Sequence, residues 1–277
     1  MVLQRFSGSV QQGYFHIASS WAAFSTLFTT SILSIYKREI AHSVGRNELN
    51  RAAHIFSRYI KMLYFITLVL AVFLAFHARQ LLLLIAGPQF KSAAIVLIIM
   101  AFYPIHQVYG QLGGSAFYST EQTRLLRNIS VIAMLAGLPI TYFFLAPVNT
   151  RIPGLGLGSV GLALKTVIWN LMLVQVYLVY NCKYFKLKAG SFVWHQFYCL
   201  SIIAAVMFII QAVSGTIFRI QTGVDLAVKL GVEAAVYGAA VTYIAYTFPR
   251  VAGITRDEVS SFMKRIREGL LITRKVA

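Results

Sequence analysis

Seven apolar runs, near residues 13–36, 61–79, 92–118, 128–147, 158–180, 198–218 and 224–248, set the first constraint on this chain of 277 residues. Each is long enough to cross a hydrocarbon core of roughly 30 Å, which takes about 20 helical residues. Backbone groups in lipid must bond within their own segment, and barrel strands would be about half as long and would alternate in polarity. The runs therefore predict an all-α fold, a polytopic membrane helix bundle of about seven spans over residues 1–248, with a basic tail over 249–277. Composition agrees, since 58% hydrophobic and 12% charged residues lie outside the range of soluble domains.

The net charge of +17 suggests nucleic acid. A nucleic-acid binder, however, carries its basic residues on one solvated face beside a soluble core, whereas here they lie between apolar runs, so no nucleic-acid partner is expected. Eighteen of the 25 lysines and arginines fall in one set of alternate loops and tail, from Lys37 to Lys275. Only Arg5, Arg79, Lys91, Arg151 and Arg219 fall in the other set, and Lys165 and Lys229 lie inside runs. Positively charged loops stay inside, which places the N-terminus outside and the C-terminus inside. The start, "MVLQRFSGSVQQ", has no basic segment followed by an apolar one and cannot be a signal peptide. The reading favoured by that orientation is that the chain is the C-terminal part of a longer protein.

Motifs for chemistry are few. "GLGSVG", residues 156–161, matches the dinucleotide pattern G-x-G-x-x-G, which needs a preceding strand and an acidic residue about 20 positions on. No Asp or Glu occurs between Glu121 and Asp225, so Gly156, Gly158 and Gly161 are expected instead to start a membrane helix tightly. His16, His42, His54, His77, His106 and His195 are scattered, there is no H-E-x-x-H, and Cys182 and Cys199 lack metal-ligand spacing. Neither enzymatic activity nor a metal or cofactor is expected, and the cysteines read as reduced thiols.

The third run is the most polar. It holds Pro104, which should kink it, and His106, Gln107 and Gln111, with Gly110 and Gly114 in a G-x-x-x-G arrangement. These polar groups suit a cavity wall or, equally, hydrogen bonds between packed helices. Lys165, eight residues into the fifth run, either snorkels to the outer interface or faces a water-filled cavity. Asp225, Lys229 and Glu233 stand at i, i+4 and i+8 of the seventh run. They form one charge ladder, functional or self-neutralised, because each buried charge costs roughly 2.5–3.5 kcal/mol.

Between runs, Gly45 can close the first helix and Asn47 cap the second, which should begin as an amphipathic inner segment. The fourth helix is expected to end at Pro139 and Pro147. In the tail, Val259, Phe262, Met263, Ile266 and Leu270 oppose Arg256, Lys264, Arg265 and Arg267, the pattern of a helix lying on the anionic inner leaflet and touching membrane lipids. Seven helices with an outer N-terminus and a D-x-x-x-K in the last also fit a receptor or retinal-binding photoreceptor. Against this, the third run has no acid to act as counter-ion, and Asp225 begins its helix too near the outer surface.

The order "GYFHIASSWAAFSTLFTTSI", "GRNELNR", "LLLIAGPQFKSAAIVLIIMAFYPIHQVYGQL", "YSTEQTR" and "GLGLGSVGLAL" resembles the C-terminal half of polysaccharide flippases of the MOP superfamily, the O-antigen, Wzx-like exporters. The resemblance covers nearly the whole chain, through short motifs whose order carries the specificity. It implies a lobe equivalent to helices 8 to 14 of the fourteen-helix members, in the bacterial cytoplasmic (inner) membrane. It also implies a missing N-terminal lobe as partner and, as cargo, an oligosaccharide linked to a polyprenyl pyrophosphate for polysaccharide biosynthesis. Such cargo needs cations and hydrogen-bonding groups, which would make Lys165, His106, Gln107, Gln111 and His16 the cavity lining. Relatives that flip lipid II tend to carry an arginine where this chain has Ser19 and Ser20 beside Trp21. A drug or small-solute exporter of the same superfamily is the alternative.

Overall fold

The structure, a computed structural model, describes residues 2–218 and 222–253, and the side chains of all of these except residue 2 and residues 24–31. The amphipathic stripe expected over 256–270 lies outside the described residues. Those described contain helices, turns and no strand. In chain order the helices are α1 (Val2–Gly45), α2 (Leu49–Ile85), a short 3₁₀ turn (Pro88–Ala93), α3 (Ala94–Met100), α4 (Tyr103–Ser119), α5 (Thr123–Leu145), α6 (Gly158–Tyr184), α7 (Ala189–Ile217), α8 (Gly223–Thr247) and α9 (Pro249–Ala252). Five stretches are long and apolar enough to cross a membrane: α2, Pro88–Ser119 (the 3₁₀ turn with α3 and α4), α5, α6 and α7.

Burial separates centre from rim. Half of the most apolar window of α2 is buried inside the protein, against 17% of that of α5. The large apolar side chains left bare on α5 and α7, such as Ile132, Leu138, Phe208 and Ile209, suit hydrocarbon as solvent. The core forms two clusters. One joins Tyr36, Ile40, Phe56, Leu63, Leu112 and Phe192 from α1, α2, α4 and α7. The other gathers Ala18, Ala22, Leu82, Leu97 and Ala163 around the Gly87–Pro88 end of the bundle.

At 37 residues α2 is about 55 Å long at 1.5 Å per residue, well beyond one bilayer core, so part of it must extend past the apolar layer if it spans it. The turn before it differs from expectation. Asn47, not Gly45, adopts the left-handed conformation (φ 59°), and the N-cap of α2 is Glu48, with no capping side chain. Asparagine tolerates that conformation because its short polar side chain bonds locally. The reversal is closed by Glu48 N–H donating to Ser43 O at 2.9 Å.

Pro104 breaks the third span as predicted, at Ala101–Phe102, and takes its place in the first turn of α4, where its missing N–H is harmless. Pro139, in contrast, lies inside α5, which continues to Leu145 before the extended Ala146 and Pro147. Helices in lipid tolerate an internal proline where neighbours re-satisfy the freed backbone. The close approach in α4 also shifts by one residue. Gly110 and Gly113, not Gly114, meet α6, where a Cβ on Gly113 would lie 3.1 Å from Tyr177 Cβ, and Asn181 Nδ2 donates to Gly113 O at 3.3 Å.

The glycine-rich stretch caps a helix end. The N–H groups of Leu155, Gly156 and Leu157 donate to the carbonyls of Phe143, Ala146 and Phe144 at 2.8, 2.9 and 3.2 Å, satisfying acceptors at the end of α5. Gly156 and Gly158 have φ of 60° and 56°. The start of α6 is bound in turn by Gln11 of α1, whose Oε1 accepts from Ser159 N–H at 3.2 Å and from Ser159 Oγ at 2.5 Å.

At the start of α8, Thr222 Oγ1 accepts from Asp225 N–H at 3.2 Å, and Asp225 Oδ2 accepts from Thr222 N–H at 2.9 Å. This reciprocal cap is worth about 1 kcal/mol. Thr222→Ala is expected to lower the thermal midpoint in detergent accordingly and Thr222→Ser to restore it, and equal midpoints would remove the cap's role.

Candidate functional site

Two shallow hollows run end to end along the α4–α5–α6 face and share Ser130. The first, about 590 Å³, is lined by Gly110, Gly114 and Tyr118 of α4, Arg124, Arg127 and Ser130 of α5, and Tyr177 of α6. The second, about 400 Å³, is lined by Ser130, Gly137 and Thr141 of α5 and by Lys165, Trp169 and Asn170 of α6. From Arg127 to Gly137 is ten residues of helix, so the trough is about 15 Å long.

Its chemistry is one-sided. Three cations line it, two arginines at one end and Lys165 at the other, and no carboxylate of the described residues does. Between them stand neutral donors. Ser130 Oγ and Tyr177 OH lie 3.3 Å apart, and Thr141 donates to Gly137 O at 2.7 Å. The Lys165 ammonium and the Trp169 indole N–H converge on Gly137, where a Cβ would lie 4.0 Å from Nζ and 3.5 Å from Nε1. Lys165 is therefore half-buried against α5 inside a polar hollow.

The other proposed lining residues divide. Gln107 and Gln111 line neither hollow, although they stand at i−3 and i+1 of Gly110, beside the α4 stripe of Gly110, Gly114 and Tyr118 that does. Successive helical residues point about 100° apart, and His106 faces elsewhere. It lines a separate, partly open cavity of about 420 Å³ between α2, α3, α4, α6 and α7. That cavity is mostly apolar, with a polar end where Tyr64 OH donates to Gln196 O at 3.0 Å and Gln175 Nε2 donates to Gln196 Oε1 at 3.2 Å. The buried Tyr109 hydroxyl stands beside the Gln196 side chain at this end. His16 is exposed on α1 and lines none of these hollows.

The charge ladder is divided by its surroundings. Asp225 belongs to the cap of α8, whereas Lys229 Nζ lies 3.8 Å from Glu233 Oε1. Glu233 is buried, accepts from Ser214 Oγ of α7, and lies 3.5 Å from Nδ1 of the fully buried His77 on α2. Sequence reasoning did not single out His77, because its own helix is apolar around it and its partner is 156 positions away. Arg124, Arg127, Ser130, Trp169 and Asn170 were also passed over as lining. The only local signal was two arginines one turn apart beside an apolar run.

Cys182 and Cys199 are free and buried. The Val251 carbonyl of α9 lies 3.4 Å from Cys199 Sγ and 2.9 Å from His195 Nε2, which stitches the end of the described chain to α7. Comparison with protein-family models, with curated protein sequences and with solved structures finds no match.

Proposed function

We propose that this membrane protein is a transporter lobe: the C-terminal half of a flippase that carries a polyprenyl-pyrophosphate-linked oligosaccharide across the bacterial inner membrane for polysaccharide biosynthesis. The observation that carries this reading is the trough along α4, α5 and α6, with three cations, several hydroxyl groups, an amide and, among the described residues, no lining carboxylate. In an apolar surround such cations favour an anion, and the neutral donors suit sugar hydroxyls. In this reading α1 and α8 join the five apolar stretches to make seven spans, the N-terminus lies outside, and Arg124 and Arg127 stand at the inner mouth. The open side of the trough is where a second lobe would face it.

Binding of farnesyl pyrophosphate to the purified protein in detergent tests this. Binding is expected, with farnesol held far more weakly. Charge reversal in Arg124→Glu with Arg127→Glu is expected to weaken farnesyl pyrophosphate binding at least about tenfold, since a hydrogen bond to a charged group is worth about 1.5–3 kcal/mol. Equal binding of alcohol and pyrophosphate, untouched by the reversal, would remove the reading. Preferential binding of tetraphenylphosphonium would favour a small-solute exporter instead.

A further inference from the structure

The trough leaves unexplained why an imidazole, a carboxylate and an ammonium are buried together where α2, α7 and α8 meet. His77 and Glu233 are 0% and 1% exposed, and the Lys229 side chain is 14% exposed. The two oxygens of Glu233 are used differently. Oε1 takes Ser214 Oγ and, at 3.8 Å, the Lys229 ammonium, whereas Oε2 faces His77 Nδ1 at 3.5 Å. That distance brings the pair within ion-pair range, but the ring is misaligned, and neither imidazole nitrogen makes a hydrogen bond among the described residues. A fully buried imidazole with two idle nitrogens beside a carboxylate is costly unless one of them is used in another state.

The remaining neighbours do not use them. Phe73 covers the imidazole face at 4.5 Å between ring centroids and stacks on Tyr237 of α8, whose hydroxyl donates instead to Val69 O at 3.0 Å. Gln211 of α7 donates to Phe76 O at 3.1 Å and accepts, through its backbone carbonyl, from Ser214 Oγ at 3.2 Å. Among the described residues the charged or titratable groups near the site are thus His77 and the exposed Arg79 on α2, none on α7 beyond the neutral Ser214 and Gln211, and Asp225, Lys229, Glu233 and Tyr237 on α8. With His77 neutral, Lys229 and Glu233 cancel. One added proton leaves two cations competing for one carboxylate, and Asp225, one turn before Lys229, offers the ammonium a second position.

We propose that His77 and Glu233 form a proton-binding site in which protonation of His77 replaces Lys229 as the partner of Glu233. The proton arrives from water at the partly exposed Lys229 side and settles on Nδ1, which then donates to Oε2. Lys229 moves towards Asp225, and no covalent bond to carbon, oxygen or sulfur changes. The occupant is a proton rather than a metal cation because the site already contains an ammonium and supplies a single carboxylate. The inference stands apart from the transport reading, since none of its residues lines the trough.

The test is a nitrogen NMR titration of the full chain, labelled with ¹⁵N-histidine, in lipid nanodiscs. His77→Gln identifies the His77 signals among the six histidines. The wild-type imidazole is expected to pass from neutral to charged as pH falls. Glu233→Gln removes the stabilising carboxylate and should lower its proton affinity about tenfold or more, whereas Lys229→Met removes the competing cation and should raise it by a similar factor. The two shifts must have opposite signs. A His77 signal that stays neutral throughout in wild type and in Lys229→Met, or shifts of the same sign in both variants, would overturn the proposal. The wild-type titration alone decides if a variant does not fold.

Discussion

Gly154→Ala is expected to destabilise the protein by about 1–3 kcal/mol, the cost of overpacking a site that cannot yield. A single added methyl suffices because a Cβ there would lie 2.5 Å from Ala146 O, 2.8 Å from Ala146 Cβ and 2.8 Å from Phe143 O. Two of those three atoms are carbonyl oxygens, and both already accept hydrogen bonds from the same loop, from Gly156 and Leu155. Relief therefore requires the loop to lift off α5, breaking the hydrogen bonds that satisfy those acceptors. Gly215→Ala in α7 is the contrast. Nothing lies within 4 Å of its added Cβ, so helix propensity alone should make that change neutral or stabilising by up to about 1 kcal/mol. Thermal midpoints in detergent measure both, and equal shifts at the two positions would show that the cap contributes nothing.

Gly137→Leu should act in the opposite way, sparing the fold and emptying the trough of ligand. Its near neighbours are side-chain ends, the Trp169 indole and the Lys165 ammonium, which can move aside. The added isobutyl group then occupies the hollow of about 400 Å³ and displaces the ammonium from it. Farnesyl pyrophosphate affinity is expected to fall about a hundredfold, the worth of one or two charge-assisted hydrogen bonds. Gly238→Leu on α8, with open space around it, should leave affinity unchanged. Unchanged affinity in Gly137→Leu, with a normal midpoint, would move the binding site elsewhere.

The helices were legible because hydrocarbon leaves the backbone no alternative, and a run of about 20 apolar residues carries that message without any partner. Pro104 was legible for a related reason, since a proline removes its own helix's hydrogen bond wherever it stands. Pro139 was not, because continuation of α5 through it depends on surrounding groups that the local sequence does not name. The register of close packing was also hidden. Whether Gly113 or Gly114 is the contact is decided by Tyr177 and Asn181 on α6, more than 60 positions away. The sequence left Lys165 a choice between two directions, and the ammonium lies against α5 beside Gly137 in the second hollow. His106 and Gln107 illustrate the remaining limit. Neighbours in sequence, they part company, His106 lining the cavity beside Tyr64 and Gln196 and Gln107 lining no hollow, so a polar cluster in a helix is not one site until its faces are resolved.

The interruption at Ala101–Phe102 divides one membrane crossing into two levers with a shared pivot. The shorter, α3, is held in the cluster with Ala18 and Leu82, whereas the longer, α4, carries the trough wall. With the i to i−4 ladder broken at Pro104, bending stress is not passed on through a continuous rod. The crossing can therefore change direction between a half seated at the Gly87–Pro88 end of the bundle and a half, α4, fixed through Val108, Leu112 and Ala116 in the other cluster.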